Sequence, residues 1–130
     1  MANGYIIPKG GVQTFLNEMK RILNDPNMEL IIDPRGSEEE EYYSTEYCLT
    51  ELGYQEKDVI QKLLQLKLTD YIESYKDERV PKSNEFNIFG IILNKKEIYI
   101  KVKISSYTNK VILCMSFHYA KFPLKWAKWK

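Results

Sequence analysis

Four side chains that could act together on a phosphodiester lie in the last third of the chain: Tyr99, Lys101, Ser116 and His118. An imidazole can move a proton near neutral pH, an ammonium can neutralise phosphate charge, and a phenol can donate a hydrogen bond. Residues two apart along a β-strand share a face, so the four would meet if their segments were paired strands. Phosphodiester chemistry is one interpretation of this set. A structural histidine among ordinary strand residues is the other.

An alternating pattern of apolar and polar residues predicts the strands that would position these side chains. The alternation runs over residues 97–104 and again over 111–118, with the period of two that is typical of strands burying one face. The link over 105–110 is polar and rich in turn formers, which predicts a hairpin. We therefore expect the four side chains on one exposed sheet face.

The register of this hairpin follows from keeping both apolar sets on the core side. With Ile104 opposite Val111, the second strand would bury Val111, Leu113, Met115 and Phe117. The same register makes Tyr99 and His118 diagonal neighbours on the polar face, about 7–8 Å apart at the backbone.

Length and composition predict one ordinary globular domain. The chain has 130 residues, 44% of them apolar and 28% charged, which suits a single domain over residues 1–130. No apolar run approaches the roughly 20 residues of a membrane span, and the N-terminus lacks the pattern of a secretory signal. Cys48 and Cys114 lack the spacing of a zinc site, so we expect reduced thiols in a cytoplasmic protein that holds no metal.

The net charge of +1 conceals two segments of opposite sign. Residues 37–78 hold twelve acidic and four basic side chains, whereas residues 79–130 hold eleven basic and two acidic ones. The basic segment favours a polyanion such as nucleic acid as a partner. Lysines also solvate strands and protect sheet edges, so charge alone leaves both interpretations open.

Helical periodicity occupies the first half of the chain. Apolar residues recur at helical spacing over 15–23 and again over 57–66. Between these segments, Ser37 and Glu40 have the spacing of a capping box, which predicts a helix that begins there and ends near Gly53. Helices first and strands later indicate an α+β fold.

Three further segments concern the sheet and its end. Residues 70–76 are ambiguous between a strand and a helix end, whereas 86–93 predict a strand in which Gly90 marks a bulge or the close approach of another group. In the tail over 120–130, aromatic residues alternate with lysines, as in surfaces that stack bases and hold phosphates. We expect Phe122 to pack on the core and leave the two tryptophans of the tail undecided.

Several short runs stand in a recognisable order between Tyr43 and Trp126: CLTELG, DVIQKLLQL, LTDY, FG, EIYIKVKI and LCMSFHYAKFPLKW. This order resembles the MqsR family of bacterial type II toxins. The resemblance implies a RelE-like α+β fold, with N-terminal helices packed on an antiparallel β-sheet. It also implies an endoribonuclease that needs no metal or cofactor, cleaves mRNA and is neutralised by a cognate antitoxin, with the ribosome as a further candidate partner.

The resemblance also implies catalytic roles by matched position. Tyr99 and Lys101 correspond to the tyrosine and lysine of a family strand that is associated with the active site. His118 lies where family members have a catalytic lysine or a histidine. In such enzymes the ribose 2′-hydroxyl attacks the neighbouring phosphate, so the protein must take one proton, stabilise the phosphorane charge and protonate the leaving oxygen.

The chain departs from the family at Glu73, where relatives often have a lysine. Lys76 or Arg79 would supply the missing cation if the following loop bends back. Together with the lysines of the hairpin and tail, the candidate RNA-binding residues are Lys76, Arg79, Lys103, Lys121 and Lys125.

The sequence thus favours a ribonuclease toxin and leaves two other functions open. A non-catalytic RNA-binding regulator derived from such a toxin would keep the basic sheet and lose the chemistry through Glu73. An interaction domain for an acidic protein would use the same basic surface. Motifs of nucleotide-driven, zinc-dependent and serine hydrolases do not occur in the sequence.

Overall fold

The computed structural model describes residues 4–34, 40–77 and 84–129. Within these ranges the helices are α1 (Lys9–Leu23), α2 (Thr45–Leu52) and α3 (Glu56–Leu64), with short 3₁₀ turns at Glu41–Tyr43 and Leu68–Asp70. The strands are β1 (Glu29–Ile32), β2 (Tyr71–Tyr75), β3 (Phe86–Leu93), β4 (Lys96–Ile104) and β5 (Val111–Tyr119). They form one sheet in the order β1-β5-β4-β3-β2. The fold is α+β, as the sequence predicted.

Local signals fix both ends of α2. The Ser44 hydroxyl accepts the backbone N–H of Tyr47 at 3.1 Å, which caps the first turn. Gly53 ends the helix with a φ of 69°, a left-handed conformation that glycine adopts without steric cost. The predicted end at Gly53 is confirmed, whereas the predicted start at Ser37 lies outside the described residues.

The helices cover one face of the sheet, which we call the inner face. The residues that α1 and α3 bury there are Val12, Leu16, Met19, Ile22, Leu23, Val59 and Leu63. Their spacing of three and four residues places them on one side of each helix, so burial drives the docking. Across the described ranges, every helix is too short or too polar to cross a membrane.

The sheet is mixed, which corrects the prediction of an antiparallel sheet. Strands β2 to β5 pair antiparallel, but β1 pairs parallel to β5, with Glu29 opposite Val111 and Ile32 opposite Cys114. A long connection separates β1 from β5, so no tight turn dictates their relative direction. The ambiguous segment 70–76 forms the edge strand β2.

The predicted β4–β5 hairpin is confirmed, but its register differs along its whole length, by one residue near the turn and by two residues beyond Met115. Ile104 lies opposite Ile112, and Val102 lies opposite Cys114. A shift then leaves Met115 as an extra residue in β5. Ile112 and Cys114 are buried in the core, whereas the sequence had placed Val111 and Leu113 there.

The C-terminal tail crosses the opposite side of the sheet, which we call the outer face. The Trp126 indole donates a hydrogen bond to the Gly90 carbonyl at 2.9 Å. Trp129 donates to Ile7 at 3.1 Å and stacks on Tyr71 with ring centroids 5.6 Å apart. The tryptophans therefore anchor the tail. Phe122 is 74% exposed, which corrects the expectation that it packs on the core.

Replacing Gly90 with alanine tests the docking of this tail. The added Cβ would lie 2.6 Å from Leu124 Cδ1 and 3.0 Å from Ile72 Cδ1, so the side chains of Leu124 and Ile72 would have to shift from their packed positions. We expect the free energy of unfolding to fall by about 1–3 kcal/mol, measured by urea denaturation.

Gly10→Ala is the matched control for this substitution. A Cβ at Gly10 meets nothing within 4 Å, and alanine favours the helix, so stability should be unchanged or slightly higher. Equal stability of the two variants would show that the tail does not rest against Gly90.

A candidate active site on the outer face of the sheet

Tyr99 and His118 lie directly opposite each other on β4 and β5. Their rings stack with centroids 5.2 Å apart and planes inclined by 16°. The sequence had placed the two residues diagonally. The one-residue shift near the turn and the extra residue at Met115 together bring them into direct register. The stack fixes the orientation of the imidazole against the phenol.

A backbone contact defines the tautomer of the His118 imidazole. The imidazole Nδ1 lies 2.9 Å from the carbonyl oxygen of Tyr119. A carbonyl oxygen only accepts, so Nδ1 carries a hydrogen in this contact. Nε2 is then the ring nitrogen that can gain or lose a proton.

Lys101 occupies the next outward position along β4. It pairs with Ser116 of β5, and its ammonium lies 4.6 Å from the ring centroid of Phe86 and 5.8 Å from that of Tyr75. Such contacts hold a cation in place through the negative face of the rings. The structure thus brings the four side chains singled out in the sequence to one face, as predicted. That face is not exposed as expected, since Ser116 and His118 are buried.

These side chains line a pocket of about 550 Å³. The tail supplies one wall of the pocket with residues 120–125, and β2 supplies another with Ile72 and Glu73. Lys121 and Lys125 stand at this wall, so two of the predicted RNA-binding lysines lie beside the pocket. Lys121 also pairs with Glu40 at 2.8 Å.

Glu73 enters the pocket from β2. The Tyr75 hydroxyl donates a hydrogen bond to Glu73 Oε2 at 2.8 Å. The sequence had pointed to Glu73 only as the position where a lysine of the resembling family is missing. The alternation of Glu73 and Tyr75 along a strand was the available signal, and the ambiguity of segment 70–76 concealed it.

The phenol of Tyr99, which lines the pocket, and that of Tyr75, which binds Glu73, both remain protonated at neutral pH. Burial raises the pKa of Tyr75 to about 12, and its hydrogen bond to Glu73 adds to the shift. Burial also raises the pKa of Tyr99, with smaller contributions from the charges of Tyr75 and Glu73. Tyr99 and Tyr75 are therefore hydrogen-bond donors and not bases at neutral pH.

The other three predicted RNA-binding residues do not line the pocket in the described part of the chain. The Lys103 ammonium forms an ion pair with Asp77 at 3.0 Å, and the two side chains are 3% and 4% exposed. Lys76 lines a separate groove beside Asn84 and Glu85. Arg79 lies outside the described residues. Because a phosphate cannot reach the enclosed ammonium of Lys103, we assign this lysine a structural role and not RNA binding.

Neither a metal cluster nor a reactive thiol accompanies the pocket in the part of the chain that the structure describes. No three His, Cys, Asp or Glu side chains converge there as possible metal ligands. Cys48 and Cys114 are buried free thiols, and burial raises the pKa of each to about 12, so both remain protonated.

Comparison of the chain with family models, with curated proteins and with solved structures gave no match. The site is therefore interpreted from its own geometry and from the resemblance of its sequence runs.

Replacing Lys103 with methionine tests whether this lysine is structural. The substitution removes the ammonium that faces the enclosed Asp77 carboxylate, so we expect a loss of about 3–5 kcal/mol in the free energy of unfolding, measured by urea denaturation. The double variant Lys103→Met/Asp77→Asn removes both charges and should recover part of this loss. A loss below about 1 kcal/mol in the single variant, typical of exposed pairs, would contradict the structural role.

Proposed function

We propose that the protein is a metal-independent endoribonuclease that cleaves mRNA, a type II toxin of the kind that its resemblance to the MqsR family implies. One observation carries the proposal: the imidazole of His118, the ammonium of Lys101 and the protonated phenol of Tyr99 line one open pocket. A ribose 2′-hydroxyl that attacks the adjacent phosphate needs these three groups: one to transfer protons, one to offset negative charge and one to donate a hydrogen bond.

Each group has a distinct task in this reaction. His118 moves a proton through Nε2, because its Nδ1 is engaged by the Tyr119 carbonyl. Lys101 faces the phosphate and offsets the charge that builds on the phosphorane. Tyr99 donates its hydroxyl hydrogen to a phosphate oxygen and holds the imidazole by stacking.

The rim of the pocket suits a single RNA strand. Phe122 is exposed between the tail lysines Lys121 and Lys125, all three at the pocket wall. An exposed ring can stack on a base of any sequence, while the lysines neutralise neighbouring phosphates. The strand would run along the tail with its scissile phosphate over Lys101.

The same proposal includes a RelE-like fold, a cytoplasmic location and two partners of the protein. Helices on one face of a largely antiparallel sheet and the pocket on the other support a RelE-like arrangement, with β1 as a parallel edge strand. We place the protein in the cytoplasm, where a cognate antitoxin neutralises it by covering the basic outer face. The ribosome is a further candidate partner, since it presents the mRNA.

Replacing His118 with alanine tests the proposed chemistry. Loss of the proton-transferring group should slow cleavage by about 10²–10⁴-fold. The measurement incubates the purified protein with a long mRNA in chelator and maps new ends by primer extension. Circular dichroism and urea denaturation verify that the variant remains folded, and cleavage at the wild-type rate would refute the role of His118.

A non-catalytic RNA-binding regulator is the second candidate function. One observation favours it: the Glu73 carboxylate lies in the pocket where a phosphate would bind and would repel that phosphate. This function predicts intact RNA in the same assay, with binding that weakens steeply as salt rises.

Replacing Phe122 with alanine tests the path of the RNA. Loss of a stacking ring should raise KM by about 5–100-fold, since stacking contributes about 1–3 kcal/mol per base, and should change kcat little. Tyr107→Ala is the matched control, because Tyr107 is 84% exposed in the β4–β5 turn, at the other end of the hairpin from His118. Equal effects of the two substitutions on KM would contradict a specific path along the tail.

A further inference from the structure

Glu73 and His118 stand on opposite sides of the pocket. The cross-strand pairing places Glu73 opposite Ile88, Ile88 opposite Lys101 and Lys101 opposite Ser116, all on the outer face. Glu73 is on β2 and His118 is on β5, so three strand spacings, about 14 Å at the backbone, separate them. Lys101 lies between them.

The carboxylate of Glu73 is held in a defined position. The Tyr75 hydroxyl binds Oε2 from the same strand at 2.8 Å. Oε1 lies against the backbone of Gly4, where any side chain would collide with it. The side chains of Glu73, Lys101 and His118 all line the same pocket.

Cleavage of RNA by its own 2′-hydroxyl needs a base and an acid on opposite sides of one phosphorus. The attacking and leaving oxygens lie in line through the phosphorus, so one group cannot serve both at the same time. A carboxylate on one wall and an imidazole on the other, with an ammonium between them, meet this requirement.

We propose that Glu73 is the general base of this site and that His118 is its general acid. The Glu73 carboxylate takes the proton of the ribose 2′-hydroxyl, and the 2′-oxygen forms a bond to phosphorus. The bond between phosphorus and the 5′-oxygen breaks, and protonated Nε2 of His118 gives its proton to that oxygen. The products are a 2′,3′-cyclic phosphate and a 5′-hydroxyl, and no other reactant is consumed.

This inference rests on the proposed ribonuclease function and gives Glu73 a task that the resemblance does not. If Glu73 merely replaced a lysine that grips phosphate, restoring that lysine would increase activity. If Glu73 is the base, the same change would remove the proton acceptor and decrease activity. The substitution Glu73→Lys therefore separates the two by the sign of its effect.

The experiment compares three variants with the wild type on an mRNA that the wild type cleaves, in chelator, with the new ends identified chemically. Glu73→Gln keeps the shape and a hydrogen bond from Tyr75 but loses the base, so cleavage should slow by about 10²–10⁴-fold. Glu73→Lys should slow it at least as much. Tyr75→Phe removes only the hydrogen bond to Glu73 and should change the rate less than about tenfold.

The outcomes separate failure of the inference from failure of the proposed function. If the wild type leaves RNA intact, the proposed ribonuclease function is wrong. If the wild type yields cyclic phosphate ends and Glu73→Gln matches its rate, or Glu73→Lys exceeds it, only the role of Glu73 falls. Should Glu73→Gln not fold, Glu73→Asp carries the test, because it withdraws the carboxylate by one methylene and should slow cleavage while leaving RNA binding unchanged.

Discussion

The extra residue at Met115 is the constraint on which the outer face depends. Before it, Ile112 and Cys114 point into the core, and strict alternation would have sent His118 inward as well. The bulge reverses the parity, so Phe117 packs inside and His118 faces outward, directly opposite Tyr99. Beyond the end of β1, the Phe117 amide donates to the Thr45 hydroxyl of α2 at 3.0 Å, which holds this part of β5 against a helix. One inserted residue thereby turns an apolar strand into one wall of a polar pocket.

Burial determines the chemical character of that pocket. It keeps the Tyr99 and Tyr75 phenols protonated, so both act as hydrogen-bond donors. The Phe86 ring holds the Lys101 ammonium at the pocket floor, while Lys103 is withdrawn into an ion pair with Asp77. The environments of Tyr99, Lys101 and Lys103 therefore differ, although the three residues alternate regularly along β4. In the mechanism that we propose, the imidazole of His118 and the carboxylate of Glu73 transfer the protons.

The C-terminal tail forms one wall of the pocket with residues 120–125. Gly90 lacks a side chain, and this gap lets Leu124 and Trp126 lie against the sheet. Trp129 continues around the edge strand to Ile7, so the two ends of the chain meet beside β2. Its aromatic anchors Trp126 and Trp129 are half-buried, whereas Phe122 is exposed. The approach that the sequence anticipated at Gly90 is thus the docking of the chain's own tail.

The sequence by itself determined the elements whose signals are local. The β4–β5 hairpin and the outward alternation of Tyr99 and Lys101 follow from period-two patterns, and the apolar run over 86–93 marks β3. Gly53 ends α2 because of its backbone freedom. The tertiary structure decided between arrangements that the local sequence patterns do not distinguish. The run over 111–115 is apolar at every position, so only packing against the helices chose which residues turn inward. Contacts between segments far apart in the chain set the direction of β1, the packing of the tryptophans and the position of Glu73 on the edge strand. No local period in the sequence can encode such contacts.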